Sequence, residues 1–229
     1  MVDGVALSAL DWWTEAGVDT LVDDLPRNWL APVTAEPQAP PVEATSAEPA
    51  LPSTLEAFRA WLLSDAPIPG GAQGRMDAAG DPTAGVVIIV DMPEAEDRAS
   101  GILLSGDVGA LFDRMLAAIK LGRDSVYLIP FSPVRSTTGR LNEADLAVLT
   151  PLLLQHLALA APRKILLLGD APVQALLRRP AAKAREAVHA IAVGAAEVPA
   201  VASIHPRLVH MKRDYRALAW DDLQRFAAL

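Results

Sequence analysis

Two side chains of this sequence have the chemistry and the placement for acid–base work. Asp91 ends a run of β-branched residues (GVVIIVDM, 85–92), and His205 follows a second apolar run (VPAVASI, 198–204). If both runs are parallel strands of one sheet, ligands bind beyond their carboxyl ends, so Asp91 and His205 should face the same rim. A carboxylate and an imidazole that converge there suit hydrolysis of a bond with a polarised leaving group. Each residue also has a structural interpretation, because Asp91 could cap a helix and the His205–Pro206 pair could simply form a turn.

A second group of residues could contact phosphate or a base. Gly106 and Gly109 lie in a loop that enters a helix, where backbone amides attract an anion, although an ordinary turn explains them equally well. Lysines and arginines lie in or near the loops that follow two predicted strands, and they would give salt-sensitive affinity for nucleic acid if they are more than solvated surface. These basic residues are Arg135, Arg140, Arg207, Lys212, Arg213 and Arg216.

The apolar pattern predicts the elements that position these residues. Strands separated by helices of about ten or more residues imply right-handed crossovers and parallel pairing. The prediction is an α/β fold, a three-layer α/β/α sandwich with a four-stranded parallel sheet. Short apolar runs predict strands at 85–92, 125–131, 164–170 and 198–204, and longer segments predict helices at 53–65, 108–122, 142–160, 171–179 and 215–229.

The chain ahead of this domain has a different composition. Residues 1–30 are predicted to form an acidic, aromatic arm, and residues 31–53, rich in Pro, Ala and Glu, an extended linker to a domain at 54–229. The arm contains Trp12, Trp13 and Trp29, which could pack on the domain as an extra helix. They could instead insert in the groove of a protein partner, with the linker giving reach.

Charge and cysteine content limit the classes of site. The net charge of −8 is concentrated in residues 1–52, which hold nine acidic residues and one basic residue, whereas residues 163–229 hold eleven basic and six acidic residues. Nucleic acid therefore stays open as a partner of the domain. The absence of cysteine excludes disulfides, thiolate zinc sites and iron–sulfur clusters, and the four histidines lack metal-ligand spacing, so no metal or cofactor is expected. With no signal peptide and no apolar run long enough to span a bilayer, we expect a cytoplasmic protein without membrane association.

Five segments, in order, resemble motifs of the iron–sulfur (family 4) uracil-DNA glycosylases. The likeness covers about 85–229, and the order and spacing are kept. VDMPEAED (90–97) is similar to the family's GEAPGxxED loop but one residue shorter. The other four pairs are GILLSGDVGALFDRML (101–116) with GxPFVGxAGxLLDxML, VYLIPFSPVRSTTGR (126–140) with VYITNVVKCRPPxNR, PRKILLLGDAPVQALL (162–177) with PKxIxxLGxxAxxxLL, and HPRLVHMKRDYRALAWDDL (205–223) with HPxYLLRxPxxKxxxWxDL.

The resemblance implies a base-flipping enzyme, in which a uracil rotates out of DNA into a pocket at the sheet's carboxyl rim. By position, Asp91 takes the place of the acid that orients or activates water at the sugar carbon. His205 takes the place of the histidine that donates a hydrogen bond as negative charge develops on the base. Pro206 belongs to the loop that presses into the DNA groove.

The resemblance also implies a base pocket, formed by Met92, Pro93, Leu104 and Pro130. Leu104 stands where the family has a phenylalanine that stacks on the base, so aliphatic contact replaces stacking. Pro130 stands where the family has the asparagine that reads the uracil edge, and proline has neither a side-chain amide nor a backbone N–H. Val134 and Leu149 align with two of the family's cluster cysteines.

Three hypotheses follow for function. The first is a monomeric DNA-repair glycosylase that hydrolyses the N-glycosidic bond of uracil or another damaged base. The second is an inactive glycosylase-fold protein that binds DNA or a repair partner and uses the arm as a tether. The third is a nucleotide-binding α/β domain, which the lack of a glycine-rich phosphate loop after any strand disfavours.

Overall fold

The computed structural model describes residues 51–229 together with Trp12. The chain divides into two units, Met1–Pro49 and Ala50–Leu229, and the described strands and sheet all belong to the second unit. The predictions for the arm and for most of the linker lie outside the described residues, where Trp12 alone is seen as helical and exposed.

The described domain alternates strands and helices. The strands are β1 (Ala79–Gly80), β2 (Val86–Val90), β3 (Tyr127–Pro130), β4 (Lys164–Leu168), β5 (Val188–Val193) and β6 (Ala196–Ser203). The helices are α1 (Leu55–Ser64), α2 (Asp97–Ser100), α3 (Gly106–Ala118), α4 (Glu143–Ala160), α5 (Asp170–Leu177), α6 (Ala181–Ala184), α7 (Pro206–Met211) and α8 (Tyr215–Ala227), with a 3₁₀ turn at Arg123–Ser125.

The strands form one mixed sheet in the order β1-β3-β2-β4-β6-β5. The four central strands pair in parallel, whereas β1 and β5 pair antiparallel at the two edges. The α/β class predicted from the sequence is confirmed. The four-stranded parallel sheet is corrected to six strands, because two edge strands escaped prediction.

Helices cover both faces of the sheet. Successive residues of a strand point to opposite faces, so Val87 and Ile89 of β2 join one core cluster and Ile88 joins the other. The first cluster packs against α1, α4, α5 and α6, and the second against α3, α7 and α8. This layering places the loops that follow β2, β4 and β6 along a single rim.

Helix α4 combines length with a high apolar content. Over its 18 residues the mean hydropathy is 1.2, and by length and composition alone it could cross a membrane, a possibility that the sequence analysis did not foresee. Its buried residues Leu149, Leu153 and Leu157 belong to the first core cluster.

Candidate functional site

A cleft of about 450 Å³ opens at the carboxyl ends of the central strands. Asp91 follows β2, Gly169 follows β4, and His205 lies two residues after β6, and all three line it. Its volume is within the range typical of small-ligand sites. The other residues of its wall are Met92, Gly139, Arg140, Leu141, Leu146, Asp170, Ala171, Gln174, Arg207 and Leu208.

The carboxylate of Asp91 is held against the junction of β4 and α5. Its Oδ1 accepts a hydrogen bond from the Ala171 backbone N–H at 3.2 Å. Gly169 has φ 106° and ψ −179°, a conformation open in practice only to glycine, and a Cβ there would overlap the Asp91 carboxylate. The glycine therefore permits both the turn and the close approach of the acid.

The surroundings of Asp91 favour its neutral form. Burial raises the pKa of this carboxyl to about 7, although the hydrogen bond from Ala171 and the charge of Arg207 oppose the rise. A carboxyl with a pKa near neutrality is half ionised at physiological pH, which suits a group that takes up a proton during a reaction.

His205 is buried, with 1% of its surface exposed, and caps the N-terminus of α7. Its Nδ1 accepts a hydrogen bond from the Arg207 backbone N–H at 3.2 Å, which assigns the ring proton to Nε2 when the imidazole is neutral. Burial lowers the pKa of His205 to about 3, and the charge of Arg207 acts in the same direction. The side chain is therefore a neutral donor, and its Nε2 has no hydrogen-bond partner among the described residues.

Glu94, which the sequence analysis did not select, connects the site to two of the predicted DNA-binding arginines. Its Oε2 lies 3.2 Å from Nη1 of Arg207 and 3.7 Å from Nη1 of Arg135. Its Oε1 is 3.8 Å from Nδ1 of His205, but this approach is not an ion pair because the imidazole is neutral. Burial raises the pKa of Glu94, and the two arginines oppose that rise.

The loop between β2 and α3 is organised by Asp97, which is fully buried. Its carboxylate accepts hydrogen bonds from the backbone N–H groups of Glu94, Leu104 and Ser105 at 2.7–2.8 Å and from the Ser105 hydroxyl at 2.8 Å. Leu104 is thereby held at φ 52° in the second core cluster and is absent from the cleft wall. The sequence analysis did not select Asp97. The signal that could have identified it is its place as the last residue of the segment that resembles GEAPGxxED.

The predicted pocket residues separate into two groups. Met92 lines the cleft, whereas Pro93, Leu104 and Pro130 are buried but do not form part of its wall. Pro93 contributes its carbonyl oxygen, which accepts a hydrogen bond from Nη1 of Arg135 at 2.9 Å. Pro130 pairs with Val90 in the sheet.

The predicted DNA-contacting residues are also spread out. Arg140 and Arg207 line the cleft, and Arg140 also borders a neighbouring hollow together with Arg135. Gly106 borders a separate hollow, whereas the remaining five belong to no wall of the cleft: Gly109, Pro206, Lys212, Arg213 and Arg216.

Several cleft residues were missed because their own types carry no strong signal. Gln174, Leu208 and Asp170 are exposed, and their place in the wall depends on the packing of α5 and α7 against the rim. The period of a helix puts Gln174 on the same face as Ala171, so Gln174 could have been found once Ala171 was known to touch the site.

The residues present do not fit an iron–sulfur cluster. The chain contains no cysteine. Leu149 is packed in the first core cluster, and the methyl groups of Val134 lie so close to Gly70 that a Cβ there would be 2.9 Å from Cγ1. Among the described residues, no group of three or more His, Asp or Glu side chains is placed to hold a metal ion.

Comparison with known proteins adds one finding to this geometry. The family model described as the uracil DNA glycosylase superfamily matches residues 78–224. A search of the curated proteins found no match. The matched segment begins just before β1 and ends within α8, and it includes every residue of the cleft wall.

Proposed function

This chain belongs to the uracil-DNA glycosylase superfamily, and from that premise we propose that it hydrolyses the N-glycosidic bond of uracil or another damaged base in DNA. The observation that carries the proposal is the shared cleft of Asp91 and His205. Asp91, whose pKa is about 7, and the neutral His205, whose Nε2 is buried and has no hydrogen-bond partner among the described residues, both line one cleft of about 450 Å³.

In the proposed reaction a base rotated out of DNA enters the cleft, and water attacks C1′ of its sugar. The ionised Asp91 orients this water and accepts its proton as the C1′–O bond forms. The C1′–N bond breaks, and its electron pair passes to the base, where negative charge spreads onto a ring carbonyl.

His205 supports departure of the base without giving up its proton. A neutral Nε2–H donates a hydrogen bond to the oxygen on which charge develops, and such a donor matters more in a dry site than in water. Its imidazole has a pKa of about 3, so the ring stays neutral throughout the physiological range. The released base then takes a proton from solvent.

DNA would reach the cleft past exposed residues at its mouth. The side chain of Leu208 on α7 is 37% exposed, and Arg140 is exposed without a side-chain partner among the described residues. Leu208 suits apolar contact with the bases that flank the vacated position, and Arg140 suits a phosphate.

The direct test is excision from oligonucleotides that carry a single uracil, hypoxanthine or xanthine, followed by alkaline cleavage of abasic sites. We expect product from the wild type, a loss of about 10²-fold or more for Asp91→Asn, and a loss of about 10²-fold for His205→Ala. Arg114→Gln, an exposed change on α3 outside the cleft wall, is the control and should retain full activity. Excision rates that are unchanged in both Asp91→Asn and His205→Ala would refute the roles proposed for Asp91 and His205.

The hydrogen bond between Asp91 and Ala171 favours a second candidate, an inactive protein that binds DNA or a repair partner. In that case Asp91 acts as a helix cap for α5 and has no chemical task. Absence of excision on all three bases, together with DNA binding that Asp91→Asn leaves unchanged, would decide for this candidate.

A further inference from the structure

We propose that Gln174 reads the hydrogen-bonding edge of the base in the cleft. This inference rests on the proposed function and adds to it a residue that determines specificity. It follows from three features of the site: the residue at position 130, the placement of α5, and the inventory of donors and acceptors in the cleft wall.

Position 130 cannot read a base in this chain. Pro130 is buried at the end of β3, where it is paired with Val90, and it forms no part of the cleft wall. Proline also lacks both a side-chain amide and a backbone N–H. An edge that presents a carbonyl next to an N–H needs a donor beside an acceptor, and the end of β3 offers no such pair from this residue.

Helix α5 brings an amide to the same cleft from another direction. It begins at Asp170, and the N–H of Ala171 in its first turn binds the carboxylate of Asp91. Gln174 follows Ala171 by three residues and so lies one turn further along the same helix face. Both residues line the cleft with His205.

The polar side chains of the cleft wall differ in what they can still bind. The carboxylates Asp91 and Asp170 only accept when ionised, Arg140 and Arg207 only donate, and Nδ1 of His205 is already used. The amide of Gln174 makes no hydrogen bond to the described residues. With Asp91 ionised, as the proposed reaction requires, Gln174 is the side chain of the described cleft wall that offers an uncommitted acceptor and an uncommitted donor together.

The chemistry of an amide indicates the class of base. Lactam bases, such as uracil and hypoxanthine, present a carbonyl next to a ring N–H, which complements the amide N–H and C=O of glutamine. Gln174 is exposed and its amide makes no hydrogen bond to the described residues, so the side chain can shift to suit either ring size, and discrimination against cytosine depends on the amide keeping one orientation in the bound state. We expect Gln174 to serve lactam bases as a class rather than uracil alone.

The test compares Gln174→Ala and Gln174→Glu with the wild type in the full-length protein. Single-turnover excision and equilibrium binding are both measured on single-stranded oligonucleotides that carry uracil, hypoxanthine or cytosine. Gln174→Ala should lower kcat/KM on uracil and hypoxanthine by about tenfold, the loss expected for one or two hydrogen bonds. Gln174→Glu should lose more, because a carboxylate faces the lactam carbonyl without a donor. Gln224→Ala, an exposed glutamine on α8, is the matched control.

The outcomes separate this inference from the proposed function. Excision that Gln174→Ala and Gln224→Ala affect equally would overturn the inference and leave the glycosylase standing. Absence of excision, with a preference in binding for uracil over cytosine that Gln174→Ala abolishes, would overturn catalysis and support the inference. Absence of both excision and base-dependent binding would overturn both.

Discussion

Asp91 is placed between two requirements, since its surroundings favour the protonated carboxyl whereas the proposed reaction needs the carboxylate. Burial and the hydrogen bond from Ala171 act on its pKa in opposite directions, and burial prevails. The family resemblance placed an acid at this position, but the sequence did not show that the acid would titrate near neutrality. That property comes from burial, and Gly169 permits the close contact, because a Cβ at this position would overlap the carboxylate.

The pKa of Asp91 makes the pH profile of excision a specific prediction. Because activity requires the ionised form, the rate should rise with pH and level off above about 7, where the carboxyl has lost its proton. His205, with a pKa of about 3, should add no second step between pH 5 and 9. The measurement is kcat/KM on a uracil oligonucleotide across that range. A profile flat from pH 5, as for an ordinary solvent-exposed carboxylate, would contradict the assignment.

At the scale of elements, the periodicity of the sequence located the central strands well. The predicted runs overlap β2, β3, β4 and β6, and they are mainly apolar because helices cover both faces of these strands. The edge strand β5 instead alternates between buried and exposed residues, with Ile191 and Val193 buried and their neighbours more exposed. It is followed by a turn at Gly194, which leads into β6. Such a pattern is weak in an alanine-rich segment, and the two-residue β1 is too short to show any pattern.

The part of the candidate site that could be predicted from the sequence is the part formed by residues just after strands. Asp91 and His205 could be placed from topology alone, since parallel strands bring their carboxyl ends to one rim. Glu94 and Gln174 could not, because their positions depend on how the loop after β2 folds around Asp97 and on how α5 packs. Leu104 was placed in the base pocket by alignment, whereas the hydrogen bonds of Asp97 hold it in the core.

The junction of β4 and α5 gives a prediction at this scale. Gly169→Ala places a methyl group where the Asp91 carboxylate lies and forces alanine into a conformation reserved for glycine. We expect a loss of about 2–3 kcal/mol in the free energy of unfolding and a fall in excision of about 10²-fold or more. Chemical denaturation and the excision assay check the two parts.

Gly194→Ala provides the matched control for this junction. Gly194 also has a positive φ, at 58°, but a Cβ there would meet no atom within 4 Å. Gly194→Ala should lower the free energy of unfolding by only about 1 kcal/mol and leave the rate of excision unchanged. Equal effects of the two substitutions on excision would mean that the contact with Asp91 has no functional role.

At the scale of the whole molecule, the distribution of charge opposes the proposed binding of DNA. The net charge of −8 comes mostly from residues 1–52, but the described domain also carries acid where DNA would arrive. Glu94 contacts both Arg135 and Arg207, and the charges of these two arginines act on His205. In the proposed complex with DNA, phosphate competes with this carboxylate for the same guanidinium groups.

Glu94→Gln therefore should strengthen DNA binding, because it frees two arginines for phosphate. We expect an affinity gain of about three- to tenfold at 0.1 M salt and a slope of log K against log salt that steepens by about 1–2, since each phosphate contact contributes about 0.9. Titrations of a labelled oligonucleotide at several salt concentrations measure both quantities. Glu96→Gln is the control, because it removes the same charge from an exposed neighbour that has no ion pair among the described residues. It should change the affinity by no more than about twofold and leave the salt slope unchanged. Weaker binding by Glu94→Gln would instead mean that Glu94 orients the arginines toward DNA, and equal gains from the two variants would mean that only net charge matters.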